Sequence, residues 1–151
     1  MSPWLWVHLG LIFAGIAGLA TAVGSAVLYL WQSSQIKSKH LGNIFLNLPS
    51  LDALDRVHYR ALVAGVIFFS LGILTGILWA TDLRVVGSLW RDPRVSLSFL
   101  TCFLYWVIAG VRITSLRRGQ KIAIGTLIVF GLLFITLIST YYAPSSIHSG
   151  F

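Results

Sequence analysis

Residues 61–80 read ALVAGVIFFSLGILTGILWA, an unbroken apolar stretch without a single charge. A helix needs roughly 17–25 such residues to cross the hydrocarbon core of a bilayer. No water is available there to satisfy the backbone, so only a helix or a closed barrel can span it. Working outward from this stretch, three further runs share its character. Residues 4–31 are interrupted only by His8 and small hydroxyl residues, and residues 95–111 and 122–143 carry no charge. Hydrophobic residues make up 57% of the 151-residue chain and charged ones 10%. A soluble domain carries about 25% charged residues, so most of this surface cannot face water. The expected fold is an all-α integral membrane protein, one domain over residues 1–151, built as a bundle of four transmembrane helices at about 4–31, 61–80, 95–113 and 122–143. Ordinary soluble enzymes, disordered tails and secreted disulfide scaffolds are excluded.

The first run lacks a basic leader and is too long for a cleavable segment, so it reads as a retained helix. The connection 32–60, with Pro49, Asp52 and Asp55, is long enough for a short surface helix. Cys102 is the only cysteine, which leaves no internal bridge, no CxxC metal pair and no CxxCH motif. The net charge of +7 could suggest a nucleic-acid partner. Such proteins gather basic residues on one solvated face with stacking aromatics, whereas here they sit between apolar runs, as topology determinants do. No nucleic acid is expected; the partner is membrane lipid. Lys37, Lys39, Arg56, Arg60, Arg112, Arg117, Arg118 and Lys121 fall on one side with Asp52 and Asp55, and Arg84, Arg91 and Arg94 on the other with Asp82 and Asp92. The balance is +6 against +1, which assigns the first side to the cytoplasm and both termini to the outer side. Tryptophans and tyrosines at the run ends form the usual interfacial belt.

Topology then makes the histidines informative. His40 and His58 fall among the cytoplasmic basic residues and read as solvated or phosphate-facing. His8, one turn inside the first helix, and His148, one turn beyond the fourth, meet the outer face. Neutral imidazole is the commonest protein ligand for metals and haem iron; a single interfacial histidine also serves as a polar anchor. Between them lies WATDLRVVGSLWRDPR at 79–94. Trp79 and Trp90 with Arg84, Arg91 and Arg94 suit an amphipathic planar ligand, aromatic edges for the ring and guanidinium groups for its carboxylates. The same residues also suit a short interfacial loop in which Asp92-Pro93 starts the third helix. Gly10, Ala14, Gly18, Ala22 and Ala26 form a ridge of small residues along the first helix, and Gly72 and Gly76 repeat the spacing on the second. The ridge serves either packing within the bundle or a subunit interface. No catalytic Ser/His/Asp set, paired carboxylate or phosphate loop is visible. No acid falls mid-membrane, which disfavours a transporter or pump.

At this point the residues resemble a known family. LDALDRVHYRALVAGVIFFSLGILTGILWA looks like the segment before the tryptophan-rich loop of the cytochrome c assembly family (CcsA, ResC and HemX-like proteins). LWRDPRVSLSFLTCFLYWVIAGVR resembles that family's W-x-D-P-K, next-helix and arginine pattern, and His148-Ser149-Gly150-Phe151 its closing His-Ser-aromatic motif. The opening helix, with His8 at one end and Leu28-Tyr29-Leu30 at the other, resembles the preceding helix. The resemblance implies that His8 and His148 ligate haem iron and that Trp90, Asp92 and Pro93 close the loop; with the loop residues read above, the expected cofactor contacts are Trp79, Trp90, Asp92, Arg84, Arg91 and Arg94. Arg94 stands where the family has lysine, Val95 where it has glutamate, and Gly110 where it often has a histidine ligand two residues before the arginine. The chain resembles only the C-terminal half of the family, and its loop resembles the HemX-like branch more than the dedicated cytochrome c synthases.

The expected function is thus to hold or deliver haem at the outer face for c-type cytochrome biogenesis. No catalytic residue is expected; at most the chain is part of a haem-attachment complex. Partners would be other assembly subunits and an apocytochrome c, in a bacterial inner membrane or a thylakoid-type membrane. The alternatives are a HemX-like accessory protein of haem biosynthesis acting through partner binding, and a structural small subunit of a membrane complex.

Overall fold

A computed structural model describes residues 3–38, 49–82, 92–115 and 119–142. They form four helices: α1 (Pro3–Ser38), α2 (Leu51–Asp82), α3 (Pro93–Ser115) and α4 (Gln120–Tyr142). Each is long and apolar enough to cross a membrane. The helix starts follow from local chemistry. Ser50 caps α2, its side-chain oxygen accepting from Ala53 N–H at 3.2 Å, with Asp52 in the first turn against the helix dipole. Asp92 caps α3, accepting from Arg94 N–H at 3.0 Å, and Pro93 takes the first helical position, where its missing N–H costs nothing. Gly119 has φ +134°, a backbone conformation that glycine alone reaches without strain. From there its carbonyl accepts from Ile122 N–H at 3.2 Å.

The helices run up, down, up, down. Gly15 lies against the Phe69 backbone and Gly18 against Gly65, which makes α1 and α2 an antiparallel pair in near backbone contact. Ser70 meets Cys102 and Trp106, Ile108 approaches Gly125, and Lys37 bonds Gln120. The starts of α1 and α3 therefore share one end of the bundle with the finishes of α2 and α4. Leu19, Ala22, Leu62, Val66, Phe69, Tyr105, Ala109, Val129 and Leu133, drawn from all four helices, form the core. Large apolar side chains such as Phe13 (69% exposed), Phe103 (64%) and Ile128 (69%) point outward, as a lipid-facing surface requires.

Two expectations change. The 32–60 connection holds no separate surface helix among its described residues: 32–38 continue α1 and 51–60 begin α2. At 1.5 Å per residue the 36-residue α1 is about 54 Å long, well beyond a hydrocarbon core of about 30 Å. Helical geometry continues into polar sequence once the ladder is established, so charge marks the edge of the membrane and not of the helix. The small-residue ridge also divides. Ala22 and Ala26 are fully buried and Gly18 packs on Gly65, whereas Gly10 and Ala14 are exposed and nothing lies within 4 Å of where a Gly10 side chain would start.

Candidate haem-facing end

His8 lies in the second turn of α1, partly buried, and its imidazole rests on α2. Its Nδ1 is 2.7 Å from the carbonyl oxygen of Gly72. A carbonyl only accepts, so Nδ1 carries the proton and donates. In the neutral ring the lone pair then belongs to Nε2. This is the arrangement metal-ligating histidines adopt, one nitrogen donating to a backbone carbonyl and the other left as ligand. Among the described residues nothing hydrogen-bonds Nε2.

The ring has room because α2 has none of its own side chain there. A Cβ on Gly76 would lie 2.9 Å from His8 Cε1 and 3.0 Å from Nδ1. Gly72 serves the next layer, where a Cβ would meet Ile12 Cδ1 at 2.7 Å and Ile12 N at 3.2 Å. The contacts Leu19/Gly65, Gly15/Phe69, Ile12/Gly72 and His8/Gly76 step along the two helices in opposite directions as one continuous seam. The His8 seat is its last step. The small residues Gly72 and Gly76 were visible in the sequence. Their pairing with His8 needed the α1–α2 register, which the seam glycines Gly15, Gly18 and Gly65 would supply.

Trp79 follows Gly76 by one turn on the same side of α2 and is partly buried. Asp92 and Arg94 open α3 at this end and are bound to each other: besides the cap, Arg94 Nε stands 4.0 Å from Asp92 Oδ1, and both side chains are largely buried. Arg84, Trp90, Arg91 and His148 lie outside the described residues, as does His40. The structure thus gathers His8, Trp79, Asp92 and Arg94 at one end of the bundle. No group of three or more His, Cys, Asp or Glu side chains that could hold a metal ion occurs among the described residues.

The opposite end carries a polar layer that sequence reasoning missed. Arg112 pairs with Asp55, and its guanidinium lies 5.8 Å from the Tyr59 ring centre. His58, expected to be solvated or phosphate-facing, is instead 4% exposed, with Nε2 3.1 Å from Thr126 Oγ1. The Thr126 hydroxyl donates to the Ile122 carbonyl at 3.0 Å, so it accepts from His58. The correction has a simple cause: α2 begins at Leu51, and 58, 62, 65 and 69 then fall on its inward face. Asp55 is likewise buried, near the helix end and not mid-membrane.

The family model described as cytochrome C assembly protein matches residues 1–148. The chain is 24% identical to the cytochrome c biogenesis protein CcsA of Prochlorococcus marinus subsp. pastoris, over 98% of this chain and 53% of that protein. It is 26% identical to CcsA of Spinacia oleracea, over 98% and 56%, and 26% identical to the protein HemX of Bacillus subtilis, over 89% and 49%. The chain spans about half the length of these relatives. No solved structure matches.

Proposed function

The chain belongs to the cytochrome c assembly protein family, and from that premise we propose that it holds or delivers haem at the outer face of the membrane for c-type cytochrome biogenesis. The observation that carries this reading is the His8 imidazole, whose Nδ1–H is spent on Gly72 O and whose Nε2 keeps its lone pair. That donor suits ferric or ferrous porphyrin iron. His8 and His148 would ligate the iron. Trp79 and Trp90 would lie against the ring, and Arg84 and Arg91 would neutralise its carboxylates. Asp92 and Arg94, bound to each other, anchor the start of α3. When bound, haem supplies the group that thiols of an apocytochrome partner take up; this chain's part is to orient it and to set its electronics through the axial ligands. The membrane would be a bacterial inner or a thylakoid-type membrane. The visible spectrum of the purified protein tests the reading. A Soret band that is lost or shifted in His8→Ala and in His148→Ala is expected; no band, or one indifferent to both changes, overturns it.

A second reading is a HemX-like accessory protein that acts by binding a partner of haem biosynthesis. It is favoured by Gly110, whose position would admit a side chain with nothing within 4 Å yet carries none. Pull-down from native membranes would then recover a biosynthetic enzyme, and recovery without any Soret band would move the assignment to this reading.

A further inference from the structure

We propose that Gly72 and Gly76 are positioning residues for His8, fixing its Nδ1–H tautomer and its ring against α2 so that Nε2 is the nitrogen offered to a metalloporphyrin. The inference rests on the reading of His8 as haem-facing, but its first half concerns this chain alone. Two independent features converge on the ring. One is chemical: the Gly72 carbonyl, 2.7 Å from Nδ1, can only accept, and so selects one of the two neutral tautomers. The other is steric. Any side chain at 76 would begin 2.9–3.0 Å from the near edge of the imidazole but 3.7 Å from Nε2. A Cβ there would press on the edge that bonds Gly72 and stay at ordinary contact distance from the far nitrogen. The Thr75 hydroxyl, with one proton to give, lies 2.9 Å from the same carbonyl and 3.0 Å from Leu71 O, and shares it between them. The Gly72 carbonyl belongs to the backbone of α2, so the acceptor is as immobile as the helix. A histidine presented on a flexible chain loses conformational freedom when it binds a metal. Here that ordering is already complete, and partners of this outer kind are commonly worth 10–100-fold in metal affinity.

The test begins with haem-free full-length protein, labelled with 15N-histidine, in detergent micelles. Long-range 1H–15N correlation distinguishes the tautomers, and the His8 signals are identified by their loss in His8→Gln. The expected result is a protonated Nδ1 and an unprotonated Nε2 at His8. Gly76→Ala should shift the signals toward the mixture of free imidazole and weaken haem binding, titrated by absorbance, by about 10–100-fold. Gly10→Ala, which adds the same methyl where nothing lies within 4 Å, should change neither. A wild-type His8 protonated on Nε2 overturns the proposal, as does a Gly76→Ala protein with unaltered tautomer and affinity. The wild-type spectrum alone decides the first point if Gly76→Ala does not fold. If the tautomer is as expected and sensitive to Gly76→Ala while no haem binds, the positioning stands and the haem reading falls.

Discussion

At the scale of single residues the seam between α1 and α2 is governed by what is missing from it. Gly18 would place a Cβ 2.8 Å from Gly65 Cα, against backbone that has no rotamer to change, so the helices themselves must part. Overpacking of this kind costs about 1–3 kcal/mol. Gly18→Ala should therefore lower the midpoint of SDS-induced unfolding, whereas Gly24→Ala, open on all sides, should leave it unchanged or raise it by replacing glycine in a helix. A midpoint equally low in both would mean that the Gly18–Gly65 contact is not what decides. Tyr105 is the converse case, a residue with one atom too many. It is fully buried and its hydroxyl has no partner among the described residues. Stranding a polar group this way costs about 1–3 kcal/mol. Tyr105→Phe keeps the ring in the core and should be neutral or stabilising in the same assay. A marked loss would show that the hydroxyl has a partner in the membrane-embedded protein.

At the scale of elements, α2 and α3 are joined by polar ties at two depths. In the middle of the span the Ser70 hydroxyl donates to Val66 O at 2.7 Å and accepts from Trp106 Nε1 at 3.0 Å, which leaves Cys102 Sγ, 3.2 Å away, to act as the donor. At the far end Asp55 and Arg112, each with about a tenth of its side chain exposed, hold the helices together. Removing one member of a buried pair strands the other charge and costs about 3–5 kcal/mol, more than the pair itself contributes. Asp55→Ala should thus destabilise strongly, and Asp55→Ala with Arg112→Leu should recover most of the loss; a double variant no better than the single one would show that the pair is net stabilising. Neither tie was legible in the sequence, although the helices were. Hydropathy reports burial from water, and the four runs needed nothing more. Partners across the bundle depend on helix register and on where each helix begins, and the true start of α2, ten residues before its apolar run, turned Asp55 and His58 from surface residues into interior ones. The candidate site at the His8 end was legible in part for the same reason. Residue type and depth singled out His8, but its tautomer and the glycines that seat it exist only in the packed pair.

At the scale of the whole molecule the remaining question is which end faces the cytoplasm, and it decides where His8 can act. The bundle is up-down-up-down, so the beginning of α1 and the end of α4 share a side whichever way it is inserted. Orientation is set by Lys and Arg near the helix ends, and acids contribute little. Among the described residues, some of these charges are paired and others exposed. At the His8 end Arg94 is tied to Asp92. At the other, Arg112 is neutralised inside the bundle by Asp55, but Arg60 and Lys121 are exposed, and among the described residues Lys37 donates to the neutral Gln120. Among the described residues the bias toward the Lys37 end survives the pairing, and that end is expected in the cytoplasm. Single-cysteine variants on a Cys102→Ser background check it, since a serine hydroxyl can also donate to Ser70. With a membrane-impermeant maleimide on intact cells or spheroplasts, Trp4→Cys should label at once and Ser34→Cys only after permeabilisation. The reverse pattern would place His8 on the cytoplasmic face, and the proposed haem site could then serve neither an outer-face acceptor nor a c-type cytochrome assembled there.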